Sequence, residues 1–369
     1  MGEQSKIEWT DDTHNFWQGC TKISPGCANC YAEARDRRFY DKAGITHWGN
    51  GAPRVRSKDF NAPLRWNNFP WVCDCKVQAG TTKGKRYFSK DIAMTAQEIR
   101  LGTFDCCECG RPVHRRRVFS LSLGDWLDDE VPIAWLADML DVIRRCPNLD
   151  FLLLTKRPEN FFGREAREYK PSRLGLAQEY ALANSRHELF GWLCEWGNGK
   201  PPHNIRIGTS VENQHEADKR IPEVLKIPAK THFISMEPLL SAVDLPASGD
   251  GHFDDVPIID GINWVIVGGE SGLNARPCNV GWIRDIVQQC KASRVPCFVK
   301  QLGGRPLLKP CRQHHFDWRY KTTNENRPDD KLFAEDGDMW RVLLNDKKGG
   351  VMSEWPEDLR VRQFPEVAR

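Results

Sequence analysis

Six short apolar runs recur along the chain, and each is followed by a polar residue and then by an amphipathic segment. The runs occupy residues 118–123, 151–154, 205–211, 232–236, 264–267 and 296–299, and the polar markers are Asp125, Lys156, Glu212, Glu237, Glu270 and Lys300. Consecutive markers lie 31, 56, 25, 33 and 30 residues apart, and four of these five separations suit one strand–helix–strand unit. Continuous apolar strands alternating with helices predict a parallel sheet covered by helices. Together with an early strand around residues 15–17, they predict an α/β fold containing a full or partial parallel (β/α) barrel.

The polar markers stand where each predicted strand ends. In a parallel barrel the active site forms at the carboxyl-terminal ends of the strands. One polar strand end means little, because a chain turns polar wherever it meets solvent, but six in succession are harder to explain in that way. The early strand would deliver the residues that follow it to the same edge. We therefore expect a functional site there.

Those following residues include Cys20, Cys27 and Cys30, a C-x6-C-x2-C array bent around Ser24-Pro25-Gly26. Structural zinc takes four protein ligands, and no fourth Cys or His lies close by in the sequence. Three cysteines can instead hold an iron–sulfur cluster with one iron open to a ligand. Two alternatives remain, zinc completed by a distant thiol and free thiols that pack as small hydrophobic groups. The polar, Gly/Pro-rich surroundings argue against free thiols, and the spacing favours the open cluster over zinc.

A second cysteine group lies between the first group and the first long strand. Cys73, Cys75, Cys106 and Cys109 would supply the four thiolates of a closed zinc site. Cys107 or His114 could replace one ligand, and the alternatives are unliganded cysteines or a second cluster. Basic residues flank the group, at Lys83, Lys85, Arg86, Arg115, Arg116 and Arg117. We expect a zinc-ribbon-like insertion that could contact nucleic acid, although a zinc-stapled loop needs no partner.

Composition favours a cytoplasmic globular protein. The net charge is only +3, the first residues lack the apolar core of a signal peptide, and no apolar stretch reaches membrane-spanning length. Fourteen cysteines without an export signal favour metal ligation over disulfides. The predicted organisation comprises a strand and cysteine loop with the first helix (1–66), the basic insertion (67–117), a barrel core with a helical insertion at about 164–203 (118–304), and a docking tail (305–369).

Several stretches together suggest a family. The segments GCTKISPGCANCYAE, SLGDW, LLLTKRPE, GTSVEN, ISMEPLL, VIVGGESG and FVKQLGG resemble an uncharacterised family of phage and prophage proteins. That family looks like a divergent branch of the radical S-adenosylmethionine (SAM) enzymes. The usual radical SAM loop is C-x3-C-x2-C, so this chain has three additional residues between its first two cysteines.

The resemblance implies a radical SAM type of barrel and specific roles for residues. Cys20, Cys27 and Cys30 would hold a [4Fe–4S] cluster that binds SAM, and an electron from a donor such as flavodoxin or ferredoxin would release a 5′-deoxyadenosyl radical. The substrate is unknown, and DNA modification or repair of a nucleic-acid lesion are two options. The implied roles are contact with the SAM amino group by Gly124 and Asp125, with its carboxylate by Lys156, with its ribose by Glu212 or Asn213, and with the substrate by Glu237, Glu270, Lys300 and Gln301.

Cys278 follows Glu270 in the sequence, near the predicted catalytic edge. It could donate a hydrogen atom in such a reaction, although a structural role is the simpler interpretation.

Two other functions compete with this interpretation. A non-enzymatic, zinc-stabilised nucleic-acid-binding phage protein would explain the cysteines and the basic insertion, but the acidic strand ends would repel phosphate. A metal-dependent hydrolase would suit the barrel, but His203, His215, His232 and His252 are isolated and form no pair with ligand spacing.

Overall fold

The computed structural model of the chain describes residues 5–73, 86–88, 104–105, 112–163, 170–245, 259–272, 274–308, 331–334 and 337–365. Its main feature is a parallel sheet that contains seven strands in this part of the chain. In chain order the strands are β1 (Asp12–His14), β2 (Arg117–Ser120), β3 (Asp150–Thr155), β4 (Ile205–Ser210), β5 (His232–Met236), β6 (Trp264–Gly268) and β7 (Cys297–Gln301).

The order of the strands in the sheet is the same as their order in the chain, and every neighbouring pair is parallel. The sheet curls into a half-barrel, and β1 and β7 are its two edges within the described residues. The predicted α/β class and the partial parallel barrel are therefore confirmed. The early strand is β1, a few residues before the predicted position. Trp17–Gln18 instead pairs antiparallel with Val55–Arg56.

Helices cover the outer face of the sheet. The described helices are α1 (Tyr31–Tyr40), α2 (Ala62–Trp66), α3 (Ile133–Arg144), α4 (Arg173–Ala183), α5 (His187–Gly197), α6 (Gln214–Lys226) and α7 (Val280–Ala292). Three of them begin at a side-chain cap, since Ser172, Asn213 and Asn279 accept hydrogen bonds from first-turn N–H groups of α4, α6 and α7. Helices α4 and α5 occupy the long connection between β3 and β4. No helix in these ranges has the length and apolarity that a membrane span requires.

The inner face of the half-barrel is filled by aromatic side chains. Successive strand residues point to opposite faces, so Val118 joins the outer core and Phe119 joins an inner cluster. That cluster consists of Trp9, Phe119, Leu152, Phe233, Trp264, Ile266 and Phe298. Gly208 of β4 leaves room for the Phe233 ring, because a Cβ at Gly208 would lie 2.4 Å from Phe233 Cζ. The inner face is therefore a packed floor under the strand ends.

Two smaller sheets accompany the half-barrel. An antiparallel sheet contains Arg86–Phe88, Trp71–Cys73, Pro112–Arg115 and Phe104–Asp105 in that order, within the predicted basic insertion. Another sheet contains Cys278–Asn279, Pro306–Leu308, Gly337–Arg341 and Lys331–Ala334. Near the end of the described chain, Val299 N–H donates to Val361 O and Gln363 N–H donates to Cys297 O, so this segment lies along the outer edge of β7.

Candidate functional site

The cysteine loop, which we define as residues 20–30, runs from Cys20 to the start of α1. Pro25–Cys27 forms a single 3-10 turn, with Cys27 N–H donating to Ser24 O over 2.9 Å. Helix α1 begins at Tyr31, directly after Cys30. The Pro-Gly bend and the helix start thus fix where the second and third thiols stand.

The three thiols are half-buried and form no disulfide. Cys20 and Cys30 pack against the same small apolar cluster of Ala32, Trp48 and Leu123. Burial raises the pKa of the Cys30 thiol, and backbone N–H groups of the first turn of α1 oppose that effect. The Cys27 thiol is near enough to raise the pKa of Cys30 as well. Within the described ranges, no three His, Cys, Asp or Glu side chains converge as a ready metal-binding group.

Arg157 links the first cysteine to the strand ends. Its guanidinium lies 3.7 Å from Cys20 Sγ, donates to Thr21 O over 2.7 Å and pairs with Asp125 Oδ2 at 3.1 Å. Burial raises the pKa of the Cys20 thiol to about 12, and the charge of Arg157 opposes this rise. The guanidinium is thus positioned to stabilise a thiolate at Cys20.

Asp125 is buried and binds donors of its own chain. Besides Arg157, its oxygens accept from Leu127 N–H, from Thr155 Oγ1 at 2.7 Å and from Lys156 N–H at 2.8 Å. The predicted contact with a SAM amino group remains a prediction, and in this structure Asp125 orients Arg157. The neighbouring Gly124 packs on Trp17, since a Cβ there would lie 3.2 Å from the Trp17 ring.

Glu212 fastens the cysteine loop to the end of β4. One carboxylate oxygen accepts from Ser24 Oγ and from Gly26 N–H at 3.0 Å. The other pairs with Lys156 at 3.3 Å and Arg220 at 2.8 Å. Burial by itself would raise the pKa of Glu212, but these two cations and the two hydrogen bonds lower it to about 2. Glu212 is therefore an anionic tether for the loop.

Asn213, the predicted alternative to Glu212 in binding ribose, has a different contact. Its side-chain oxygen accepts from Glu216 N–H at 3.0 Å and caps α6. Its predicted role in binding a cofactor stays a prediction.

Glu270 forms a second tether from the end of β6. Its Oε2 accepts from Asn29 Nδ2 at 2.9 Å, and Arg276 forms a bidentate pair with both carboxylate oxygens at 2.9 and 2.6 Å. Arg276 also donates to Pro25 O at 2.7 Å. Burial would raise the pKa of Glu270, but hydrogen bonds from Arg276 and Asn29 lower it. The loop is thus held by two carboxylates, one at the end of the central strand β4 and one at the end of β6.

The additional residues between Cys20 and Cys27 make most of these contacts. Ser24 and Gly26 meet Glu212, and Pro25 meets Arg276. A Cβ at Gly26 would lie 2.7 Å from Glu212 Oε1, so this position accommodates the carboxylate only as glycine.

The remaining predicted site residues are Glu237, Lys300, Gln301 and Cys278. Glu237 and Lys300 form an ion pair with Oε1 and Nζ 2.9 Å apart, and both are partly accessible to solvent. Gln301 donates to Gly269 O over 2.8 Å, next to Glu270 in the chain. Cys278 is only 1 % exposed, and burial raises its pKa to about 12. Its burial favours the structural interpretation of this cysteine.

Sequence reasoning missed Arg157, Arg276, Arg220 and Asn29. Arg157 directly follows the marker Lys156, so the signal was present at the same strand end. Arg276 and Asn29 lie in irregular segments, and only the folded chain shows which carboxylate each one meets.

The second cysteine group lies mostly outside the described residues. Cys73 is buried at the end of its strand, whereas Cys75, Cys106 and Cys109 are not among the residues described. The predicted zinc site therefore stays a prediction.

Three of the four flanking arginines are engaged in ion pairs, whereas Lys83 and Lys85 lie outside the described residues. Arg115 lies 3.5 Å from Asp150, Arg116 lies 2.6 Å from Asp12, and Arg117 lies 3.1 Å from Asp11. Arg116 is 2 % exposed. These contacts argue against Arg116 and Arg117 as a free phosphate-binding surface.

Comparison with known proteins gives one result. No curated protein and no solved structure matches the chain. One family model matches residues 4–340, which is most of the sequence, and its description is "Protein of unknown function (DUF5131)". The chain therefore belongs to the DUF5131 family.

Proposed function

We propose that this protein is a radical SAM enzyme whose [4Fe–4S] cluster is held by Cys20, Cys27 and Cys30. The observation that supports this most strongly is the attachment of the three-cysteine loop, through Glu212 and the Glu270–Arg276 pair, to the strand ends of a partial parallel barrel. Parallel barrels carry their reactive groups at these ends. A loop that served only to connect two elements would not need two buried carboxylates to hold it there.

The residues of the loop fit a cluster. Thiolates are the protein ligands of iron–sulfur clusters, and the three thiols are half-buried and free. Arg157 beside Cys20 and the first-turn N–H groups of α1 beside Cys30 both favour thiolate. Metal binding commonly draws its ligands together as it orders a site. When bound, such a cluster supplies the electron that cleaves SAM.

The side chains at the strand ends would bind and orient the other reactants. Lys156 is partly exposed and carries a positive charge at the end of β3, which suits the carboxylate of SAM. The Glu237–Lys300 ion pair lies at the strand ends and is partly accessible to solvent, and we propose that it faces the substrate. The aromatic floor excludes water from below. Zinc at Cys73, Cys75, Cys106 and Cys109 is proposed as a structural staple.

Metal analysis of anaerobically purified protein tests this function. We expect about four irons bound by the three-cysteine loop, one zinc elsewhere, and cleavage of SAM to methionine and 5′-deoxyadenosine after reduction. The triple variant Cys20→Ala/Cys27→Ala/Cys30→Ala should lose the iron and keep the zinc. Cys194→Ala is the matched control, because Cys194 is also a half-buried free thiol. Protein that contains only zinc, although never exposed to oxygen, would refute the cluster.

A further inference from the structure

The exposed side of α1 carries alternating aromatic and basic side chains. Tyr31, Arg35, Arg38 and Phe39 stand at positions i, i+4, i+7 and i+8, which share one face of a helix. Tyr31 is 60 % exposed and Phe39 is 66 % exposed. Large hydrophobic side chains this exposed, two on one helix, are unusual on a surface that binds nothing.

This face is already ordered. The Arg35 guanidinium lies 5.9 Å from the centre of the Phe39 ring. The Tyr31 hydroxyl donates to Ser122 O over 2.5 Å, which fixes the ring against the main body of the protein. A ligand that stacked on these rings would lose little side-chain entropy, because the rings are held before it arrives.

The acidic residues of α1 are occupied on its inner side. Glu33 pairs with Lys22 and Arg37, and Asp36 pairs with His47. In the described part of the chain, by contrast, Arg35 and Arg38 have no carboxylate within ion-pair distance. The outward face of α1 is consequently a positively charged aromatic surface.

An open cavity of about 200 Å³ lies beside this face. Its wall contains Gln18, Arg35, Asp36, Phe39 and Tyr40, and Asp36 accepts from Gln18 and contacts His47. Trp48 and Leu123 separate the cavity from the cysteine loop. Flat aromatic walls with an arginine at the mouth suit a planar ring that carries polar edges.

We propose that the outward face of α1 and the adjoining cavity bind single-stranded nucleic acid. Arg35 and Arg38 contact phosphates, bases stack on Tyr31 and Phe39, and one base enters the cavity. Unpaired bases are required because the bases of a duplex are already stacked on one another. This surface is distinct from the basic insertion.

Because α1 starts at the residue after Cys30, the bound strand lies beside the cysteine loop. If the proposed function holds, nucleic acid is then the substrate class; this last step alone rests on that function.

Fluorescence anisotropy with labelled oligonucleotides of about 12 nucleotides tests the binding. Single-stranded DNA, single-stranded RNA and duplex DNA are each titrated with the full-length protein. We expect both single strands to bind more tightly than the duplex, and the ratio of DNA to RNA affinity identifies the natural polymer. Arg35→Gln/Arg38→Gln should reduce the slope of log affinity against log salt by about 1.4, since each lost phosphate contact on a single strand removes about 0.7. Phe39→Ala should weaken binding on the order of tenfold at every salt concentration.

Matched controls separate this surface from nonspecific effects. Arg145→Gln/Lys219→Gln removes two exposed cations elsewhere, and Phe69→Ala removes another half-exposed phenylalanine; neither should alter binding. Iron-depleted wild-type protein should bind the oligonucleotides as the iron-loaded protein does, which keeps this inference separate from the cluster. Absence of binding at low salt, tighter binding to duplex, or equal losses in the α1 variants and the controls would each overturn the proposal.

Discussion

Removing the Glu212 carboxylate should release the cysteine loop without unfolding the protein. The side chain is fully buried and meets Ser24, Gly26, Lys156 and Arg220. Glu212→Ala deletes every one of these contacts. Glu212→Gln retains an acceptor for the loop but removes the charge that pairs with the two cations.

The expected loss in the free energy of unfolding depends on whether Arg220 and Lys156 are left buried and unpaired. Loss of one partner from a buried ion pair costs about 3–5 kcal/mol, but Arg220 keeps Glu216 at 2.7 Å and Lys156 has access to solvent. We therefore expect Glu212→Ala to lower the free energy of unfolding by about 3 kcal/mol. Each of the hydrogen bonds from Ser24 and Gly26 to this charged acceptor contributes about 1.5–3 kcal/mol to closing the loop, so the population of open loop should rise at least on the order of 10- to 100-fold.

Two measurements separate these effects. Urea unfolding reports the total stability, and the alkylation rate of Cys27 in metal-free protein reports loop opening. Glu216→Gln is the matched control, because it removes a partner of Arg220 and leaves the loop contacts intact. Glu212→Gln and Glu212→Ala should accelerate alkylation, whereas Glu216→Gln should only lower stability. An unchanged alkylation rate in Glu212→Ala would refute the tether.

Three further predictions concern other buried contacts. Arg157→Gln should lower the free energy of unfolding in urea by about 2–3 kcal/mol and, under the proposed function, weaken iron retention. Arg157→Lys should restore little of this stability, because the forked contact with Asp125, Cys20 and Thr21 needs the guanidinium. Burial lowers the pKa of His14 from 6.5 to about 4, so on acidification the unfolded chain binds a proton before the folded protein does. The free energy of unfolding should therefore fall by on the order of 3 kcal/mol as pH drops from about 6.5 to about 4. In His14→Gln the free energy of unfolding in urea should depend less on pH across that window, and an unchanged pH dependence would contradict the assignment. Gly208→Ala should cost about 1–3 kcal/mol or more in thermal or urea unfolding, because its Cβ would overlap the Phe233 ring.

The sequence predicted the strands of the half-barrel because they are buried on both faces and so read as continuous apolar runs, as Leu152–Leu154 does within β3. It misplaced the first strand because β1 contains Asp12 and His14, which look like loop residues. In the folded chain Asp12 pairs with Arg116 and His14 contacts Phe60 O. No local sequence pattern indicates contacts between residues so far apart in the chain.

For the candidate site, too, the sequence predicted some features and missed others. The acidic strand ends could be located from the sequence, since each follows an apolar run. Their partners could not be, because Glu212 meets Ser24 across 188 residues and Glu270 meets Asn29 across 241. The sequence therefore indicated which side chains lie at the edge, while their role in holding the loop emerged only from the fold.

The tethers also set a time at which the cysteine loop can assume its final conformation. Ribosomes add about 5–20 residues per second, so Glu270, 241 residues after Asn29, follows the loop by on the order of 10 to 50 s. During synthesis the three thiols are present before either carboxylate can hold them, which leaves them open to oxidants and to stray metals. We expect a nascent-chain fragment that ends before β6 to be alkylated at Cys27 and Cys30 faster than the full-length protein. If the proposed cluster is bound there, loading of iron belongs to the period after synthesis, when the sheet is complete.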